Sequence, residues 1–201
     1  MIKIGLTGYL GSGKTTVVDC FMEAGVTFYS LSLSDAVRAE ASKRGIEPTR
    51  NNLQDLGNNL RVDFGHGGLA ELVLKMLPEN VSSGVVIIDG IRNPAEVEVL
   101  KKSGYFYLIA VIADFQVRYD RVVKRALSSD KSILSIEEFR NADNRDMGIG
   151  EPSGGQQVEK CVQIADTIIT NNNTSATLKD SVFYNAVLAV YKDIIRINRQ
   201  T

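Results

Sequence analysis

One stretch limits what this chain can fold into more than any other: Gly8-Tyr9-Leu10-Gly11-Ser12-Gly13-Lys14-Thr15, a full match to the pattern GxxxxGK[ST]. A loop of this kind must turn tightly and aim successive backbone N–H groups at one anion, which is why glycine recurs in it. Gly8, Gly11, Ser12, Gly13 and Thr16 would line the phosphates, Lys14 would reach the β- and γ-phosphates, and the Thr15 hydroxyl would help hold Mg²⁺. The flanks suit the motif. Ile2, Ile4 and Leu6 make a short apolar strand before it, and the residues from Thr16 to Met22 read as a helix. The N-terminus of that helix adds its dipole to the phosphate site. A merely glycine-rich turn would need neither flank. The expectation is a nucleotide-binding loop serving ATP with Mg²⁺.

Composition narrows the class. With 201 residues, 44% hydrophobic and 23% charged, the chain reads as one globular domain, residues 1–201, with room for a sizeable core. A formal net charge of −1 offers no partner among nucleic acids or membrane surfaces, so any basic site must be local. The longest apolar run, residues 105–113, is too short to span a bilayer and reads as a buried strand. Met1 leads straight into the first strand, with no room for a signal peptide, and the cytosol is the default location. Cys20 and Cys161 lack metal-ligand or CxxC spacing and read as buried reduced thiols.

Further strands are expected at 26–30, 85–89, 105–113 and 167–170, each separated from the next by helical sequence. The alternation implies an α/β fold: a P-loop NTPase with a five-stranded parallel sheet covered by helices on both faces. Two intervals exceed a simple crossover. Residues 31–83 are expected to form a helical acceptor-binding insertion and 126–155 a lid region, both over the C-terminal ends of the strands.

Within the first interval, Ser32-Leu33-Ser34-Asp35 opens a helix in the manner of a capping box, and another helix follows Pro48-Thr49. On that second helix Leu53, Leu56, Leu60 and Phe64 form an apolar stripe, and Arg50, Gln54, Asn58 and Arg61 a polar one. The polar stripe fits either a solvated face or a surface for an anionic, hydrogen-bonding ligand. His66, the one histidine, sits in the turn Gly65-His66-Gly67-Gly68 and is read as incidental.

The strand Val86-Ile87-Ile88 ends in Asp89, which after a P-loop reads as the carboxylate that holds Mg²⁺ or its waters. An acid in that position can also serve simply as a turn former. Asn93-Pro94-Ala95-Glu96 then starts a helix with cap, N1 proline and N3 acid in place. Beyond Asp114, Arg118, Arg121 and Arg125 fall within about 60° of one another around a helix. Such a cluster suits a multiply charged anion, or else a solvated face paired with Asp114 and Asp120. Ser135-Ile136-Glu137-Glu138 begins one more helix, carrying Arg140 and Arg145, and the glycine-rich residues 148–155 are expected to be mobile.

These pieces resemble the P-loop nucleoside monophosphate kinases and their relatives, including dephospho-coenzyme A kinases. The segment Ser32 to Glu40, with Arg38, looks like the acceptor site of adenylate kinases. Asp89-Gly90-Ile91-Arg92 looks like a D-G-x-P-R signature one residue short. The segment Thr49 to Gly57 with Arg61 is similar to phage-type deoxynucleoside monophosphate kinases, and Ala165 to Asn172 resembles the last strand of dephospho-coenzyme A kinases. The whole chain also resembles a set of archaeal P-loop proteins grouped with kinases. The D-x-D pair usual after the second strand of dephospho-coenzyme A kinases is absent here, and no Cys₄ zinc lid is present.

The resemblance implies an ATP-dependent kinase acting on a small phosphorylated acceptor, most readily a nucleoside or deoxynucleoside monophosphate, as a monomer or homodimer. It implies catalytic roles for Lys14, Asp89, Arg92, Arg121 and Arg125, with Mg²⁺ between Thr15 and Asp89. Ser34, Asp35, Arg38, Arg50, Gln54, Arg61 and Arg92 would bind the acceptor. Two alternatives stay open: a dephospho-coenzyme A kinase using Asp35 as base, and a regulatory nucleotide-binding module or slow ATPase. A GTP switch is disfavoured because no NKxD motif occurs.

Overall fold

The structure, a computed structural model, describes residues 1–78, 81, 84–127, 135–172, 177–179 and 181–199. The chain begins with β1 (Ile2–Gly8), turns through the glycine loop into α1 (Lys14–Glu23), and returns along β2 (Phe28–Ser32). Three helices follow, α2 (Leu33–Lys43), α3 (Arg50–Asp63) and α4 (Gly68–Lys75). Then come β3 (Val85–Asp89), α5 (Pro94–Lys102), β4 (Phe106–Ile112), α6 (Phe115–Leu127), α7 (Ile136–Met147), α8 (Val158–Gln163), β5 (Thr167–Thr170) and α9 (Val182–Asn198). No helix among the described residues is long and apolar enough to cross a membrane.

The strands form one sheet in the order β2-β3-β1-β4-β5, every neighbouring pair parallel. Alternation along each strand sorts side chains onto two faces. Val86 and Ile88 of β3 join the cluster under α2, α3, α4 and α5, built on Leu33, Leu56, Leu60, Leu69, Val97 and Leu100. Val85 and Ile87 face the other way with Ile4 and Leu6 of β1, against Val17, Phe21, Phe183, Val187 and Ile194 of α1 and α9. Burial on both faces is what makes the strands read as nearly continuous apolar runs.

β1 lies at the centre, and the chain leaves it to one side before β3 and to the other after it. The C-terminal ends of β1, β3 and β4 therefore open into the crevice where such sheets bind ligands. Registers Leu6↔Asp89 and Gly8↔Val111 bring Asp89 and the loop to the same edge.

Local signals fixed several helix starts. Ser32, Thr49, Asn93 and Ser135 cap α2, α3, α5 and α7, and the last two close reciprocal boxes with Glu96 and Glu138. Two local expectations shift. β2 starts at Phe28 and runs to Ser32, not over 26–30. The apolar stripe of α3 ends at Leu60, because Phe64 lies beyond the helix as its C-cap and is 65% exposed.

Candidate functional site

The loop is shaped by close approach as much as by turning. A side chain on Gly8 (φ 139°) would begin 2.0 Å from the Val111 carbonyl oxygen. One on Gly13 (φ 94°) would begin 2.2 Å from Asn171 Nδ2. Asn171, just after β5, donates to Ser12 O at 3.0 Å, and its own backbone N–H is tied to Ile112 O. Arg121 reaches the same loop, donating to Ser12 O and Asn171 Oδ1 at 3.3 Å each. The loop is thus braced from β4, β5 and α6 together. Ser12 Oγ is buried without a hydrogen-bond partner, a polar atom within a cradle suited to phosphate.

Lys14 Nζ lies over the loop, donating to Gly8 O at 2.8 Å and Tyr9 O at 3.1 Å. Burial pulls its pKa down to about 8, opposed by Asp89 and Asp146 and assisted by Arg92 and Arg50. These five groups share one electrostatic neighbourhood. Asp89 Oδ1 accepts from the Gly90 N–H at 2.7 Å, so this acid does form its turn. No group of three or more His, Cys, Asp or Glu suited to a metal occurs among the described residues. One carboxylate and the Thr15 hydroxyl fit Mg²⁺, which commonly takes one or two carboxylates and completes its shell with phosphates and water.

Opposite the loop, side chains from four elements meet. Arg50, the first residue of α3, donates through Nη2 to Asp146 Oδ2 at 2.6 Å. Gln54 Nε2 donates to Asp146 Oδ1 at 2.6 Å, and Arg92 Nη1 stands 4.0 Å from that oxygen. Arg92 also approaches Ser34 Oγ at 3.5 Å. Burial opposes ionisation of Asp146, but Arg92, Arg50, Gln54 and Lys14 outweigh it and hold its carboxyl below the usual range. Sequence reasoning missed Asp146. A signal was available: Asp143 and Asp146 stand one turn apart on α7, a repulsive spacing unless each faces a cation.

Each of them does. Asp143 pairs at 2.6 Å with Arg118, which also donates to the Ala113 and Leu10 carbonyls and lies against the rings of Tyr9, Phe115 and Phe139. Arg118 is 5% exposed and pairs with Asp143, so it is not part of a solvated face paired with Asp114 and Asp120. Asp120 instead accepts from Gln116. Arg125, one turn past Arg121, is exposed.

Other expected site residues are placed elsewhere. Arg61 is 2% exposed and gives both Nε and Nη2 to Glu96 Oε1 at 2.9 Å, inside the protein rather than in the cleft. Gln54 is 2% exposed, donates to Asp146 at 2.6 Å and accepts from Arg145 Nη1 at 3.5 Å. Arg38 pairs with Asp35 at 2.9 Å on an exposed part of α2, one turn from Ser34 on the same face.

Residues 148–155 are tied to the rest of the protein at several points. Asn93 Nδ2 donates to the Ser153 and Gly155 carbonyls, and the Gln157 N–H donates to Arg92 O at 2.6 Å. Glu151 accepts from Asn58 and Arg145. Gly154 abuts the ring of His66, where a Cβ would begin 2.7 Å from Nε2. Residues 128–134 of the expected lid lie outside the described residues.

This sheet order and braced loop define an α/β P-loop NTPase. A family model described as an AAA domain matches residues 4–148, and the chain is a P-loop domain of that type. Shikimate kinase from Bacteroides thetaiotaomicron superposes with a TM-score of 0.51 at 17% identity, covering 97% of this chain and 98% of that one. Shikimate kinase from Aquifex aeolicus gives 0.50 at 17% identity, covering 95% and 96%. At such identities the likeness establishes the fold.

The chain belongs to the UPF0200 family. It is 34% identical over 187 residues to a UPF0200 protein of Methanosarcina mazei, covering 90% of this chain and 92% of the relative. It is 31% identical over 173 residues to UPF0200 protein PH1008 of Pyrococcus horikoshii, covering 84% and 87%. A UPF0200/UPF0201 protein of Archaeoglobus fulgidus is 34% identical over 177 residues, and the match spans 51% of that protein's length.

Proposed function

We propose that the chain is an ATP-dependent phosphotransferase whose acceptor is a small phosphorylated molecule, a nucleoside or deoxynucleoside monophosphate being the class that suits the site best. One observation carries this reading: Lys14, Asp89, Arg50, Arg92 and Asp146 share a single neighbourhood at the C-terminal edge of β1 and β3. Phosphoryl transfer asks a protein mainly for positioning and charge stabilisation, and this is an arrangement of fixed charges around a phosphate loop.

In this reading the backbone of residues 8–16 cradles the donor phosphates, and Lys14 turns from the Gly8 and Tyr9 carbonyls toward them. Thr15 and Asp89 hold Mg²⁺, which supplies charge neutralisation at the transferring group. Arg121 steadies the loop through Ser12 and Asn171 and would act on the same phosphates from there. Arg50 and Arg92 receive the acceptor phosphate, with Ser34 beside Arg92 and Arg38 one turn further along α2. Residues 31–83 then serve as acceptor insertion and 126–155 as the lid that excludes water.

The test is ADP release measured across a panel of nucleoside monophosphates and dephospho-coenzyme A. At least one acceptor should raise the rate well above that with ATP alone. A rate indifferent to every acceptor would replace this reading with that of a slow ATPase or nucleotide-sensing module.

A further inference from the structure

The cations that would receive the acceptor are already held by an anion of the protein itself. Asp146 lies 5% exposed between Arg50 and Gln54, each at 2.6 Å, with Arg92 at 4.0 Å from the oxygen that Gln54 also contacts. The carboxylate does not satisfy everything around it. Arg50 Nε is buried with no hydrogen-bond partner, and at 4.0 Å Arg92 is an ion pair without a hydrogen bond. The carboxylate thus accepts from Arg50 Nη2 and Gln54 but leaves Arg50 Nε and Arg92 without a hydrogen bond to it. A phosphate, with three oxygens and up to two charges, would use more of these donors. The cluster is reachable, since the Arg50 and Arg92 side chains are 34% and 28% exposed.

We infer that Asp146 is a displaceable internal counter-anion: it occupies the acceptor-phosphate position between Arg50 and Arg92, and a phosphomonoester enters by taking its place. This deepens the proposed kinase reading and rests on its assignment of the acceptor site. The placement of Asp146 suits an exchange. It lies in the last turn of α7, just before Gly148, which ends the helix in a left-handed conformation (φ 100°). The following residues meet the N-terminal end of α5, through the Gln157 bond to Arg92 and the Asn93 bonds to Ser153 and Gly155. Movement of Asp146 away from Arg50 would thus be felt by the segment that carries Arg92.

Selectivity follows. A neutral acceptor gains nothing from displacing a carboxylate, whereas a phosphate replaces it with a better-matched anion. Without an acceptor, Asp146 offsets one of the two arginine charges, and its own charge opposes the entry of other anions.

The test titrates inorganic phosphate into protein saturated with MgADP, comparing the natural chain with Asp146→Asn. The amide keeps an oxygen for Gln54 but removes the competing charge. Phosphate should bind the variant on the order of tenfold or more tightly, because a like charge no longer opposes it. Adding Arg50→Ala to that variant should abolish the gain, which separates the cleft from the loop. Equal or weaker phosphate binding by a folded Asp146→Asn protein would overturn the inference. If that variant does not fold, hydrogen exchange on the natural chain decides. Amides of residues 143–149 should lose protection when phosphate saturates the cleft, and unchanged protection would overturn the exchange. ADP binding is read in its own titration. Its failure would count against the nucleotide reading, while the phosphate comparison and its Arg50 control would still report on Asp146.

Discussion

The two ends of α3 carry arginines about three turns apart on one stripe, and the protein treats them as opposites. At the C-terminal end Arg61 is sealed, its side chain 3% exposed, against a Glu96 that also accepts from the backbone N–H groups of Arg92 and Asn93. At the N-terminal end Arg50 is 34% exposed, holds a single carboxylate and keeps a buried Nε without a partner. The same residue type makes a sealed joint in one place and a partly exposed pair with an unused donor in the other. What separates them is access for water or a ligand, and whether every donor is already used. Arg118 with Asp143 belongs to the first kind, Arg92 with Asp146 to the second.

The sealed end should give the largest effect on stability. Glu96→Ala leaves the Arg61 charge buried and unpaired and frees two backbone donors, so about 3–5 kcal/mol should be lost, read from urea unfolding. A loss below about 1 kcal/mol, the range of exposed pairs, would dissolve the distinction between the two ends. Lys14→Ala should instead leave the fold intact and lower turnover by about 10²–10³-fold, as when one donor to a developing charge is removed. Near-normal turnover would remove the loop from the chemistry.

A smaller effect concerns pH. With its folded pKa pulled down to about 8, Lys14 is charged at neutral pH and loses its proton as pH rises through that value. Bound phosphate favours the charged form and raises the pKa, so nucleotide binding takes up a proton and weakens as pH rises from about 8. Titrations at pH 7 and 9 should show this fall, and flat affinity would place Lys14 away from the phosphates. Least sensitive should be Asp35→Ala. Its pair with Arg38 is exposed on both sides, so stability should change by less than about 1 kcal/mol, as thermal unfolding can verify.

What the sequence made legible was local. The glycine loop, Asp89, and the caps at Thr49, Asn93 and Ser135 are written within a few residues of where they act. The parallel sheet followed from apolar runs separated by helical sequence. The ion pairs were not legible because their partners lie far apart in the chain: Arg50 with Asp146, Arg61 with Glu96, Arg118 with Asp143. Helical spacing placed Arg50, Gln54 and Arg61 on one stripe but could not say which would be sealed. Glycine content suggested motion for residues 148–155 but gave no sign of the bonds that Asn93, Gln157 and Arg145 make to that segment.

The proposed phosphotransferase requires an acceptor site around Arg50, apart from the phosphate loop. Steady-state kinetics of Arg50→Ala, with ATP and the acceptor identified by ADP release varied in turn, test it most directly. Loss of a charge-assisted phosphate contact costs about 1.5–3 kcal/mol, so the acceptor KM should rise by roughly 10- to 150-fold, with the KM for ATP unchanged. Equal increases in both would contradict a distinct acceptor site.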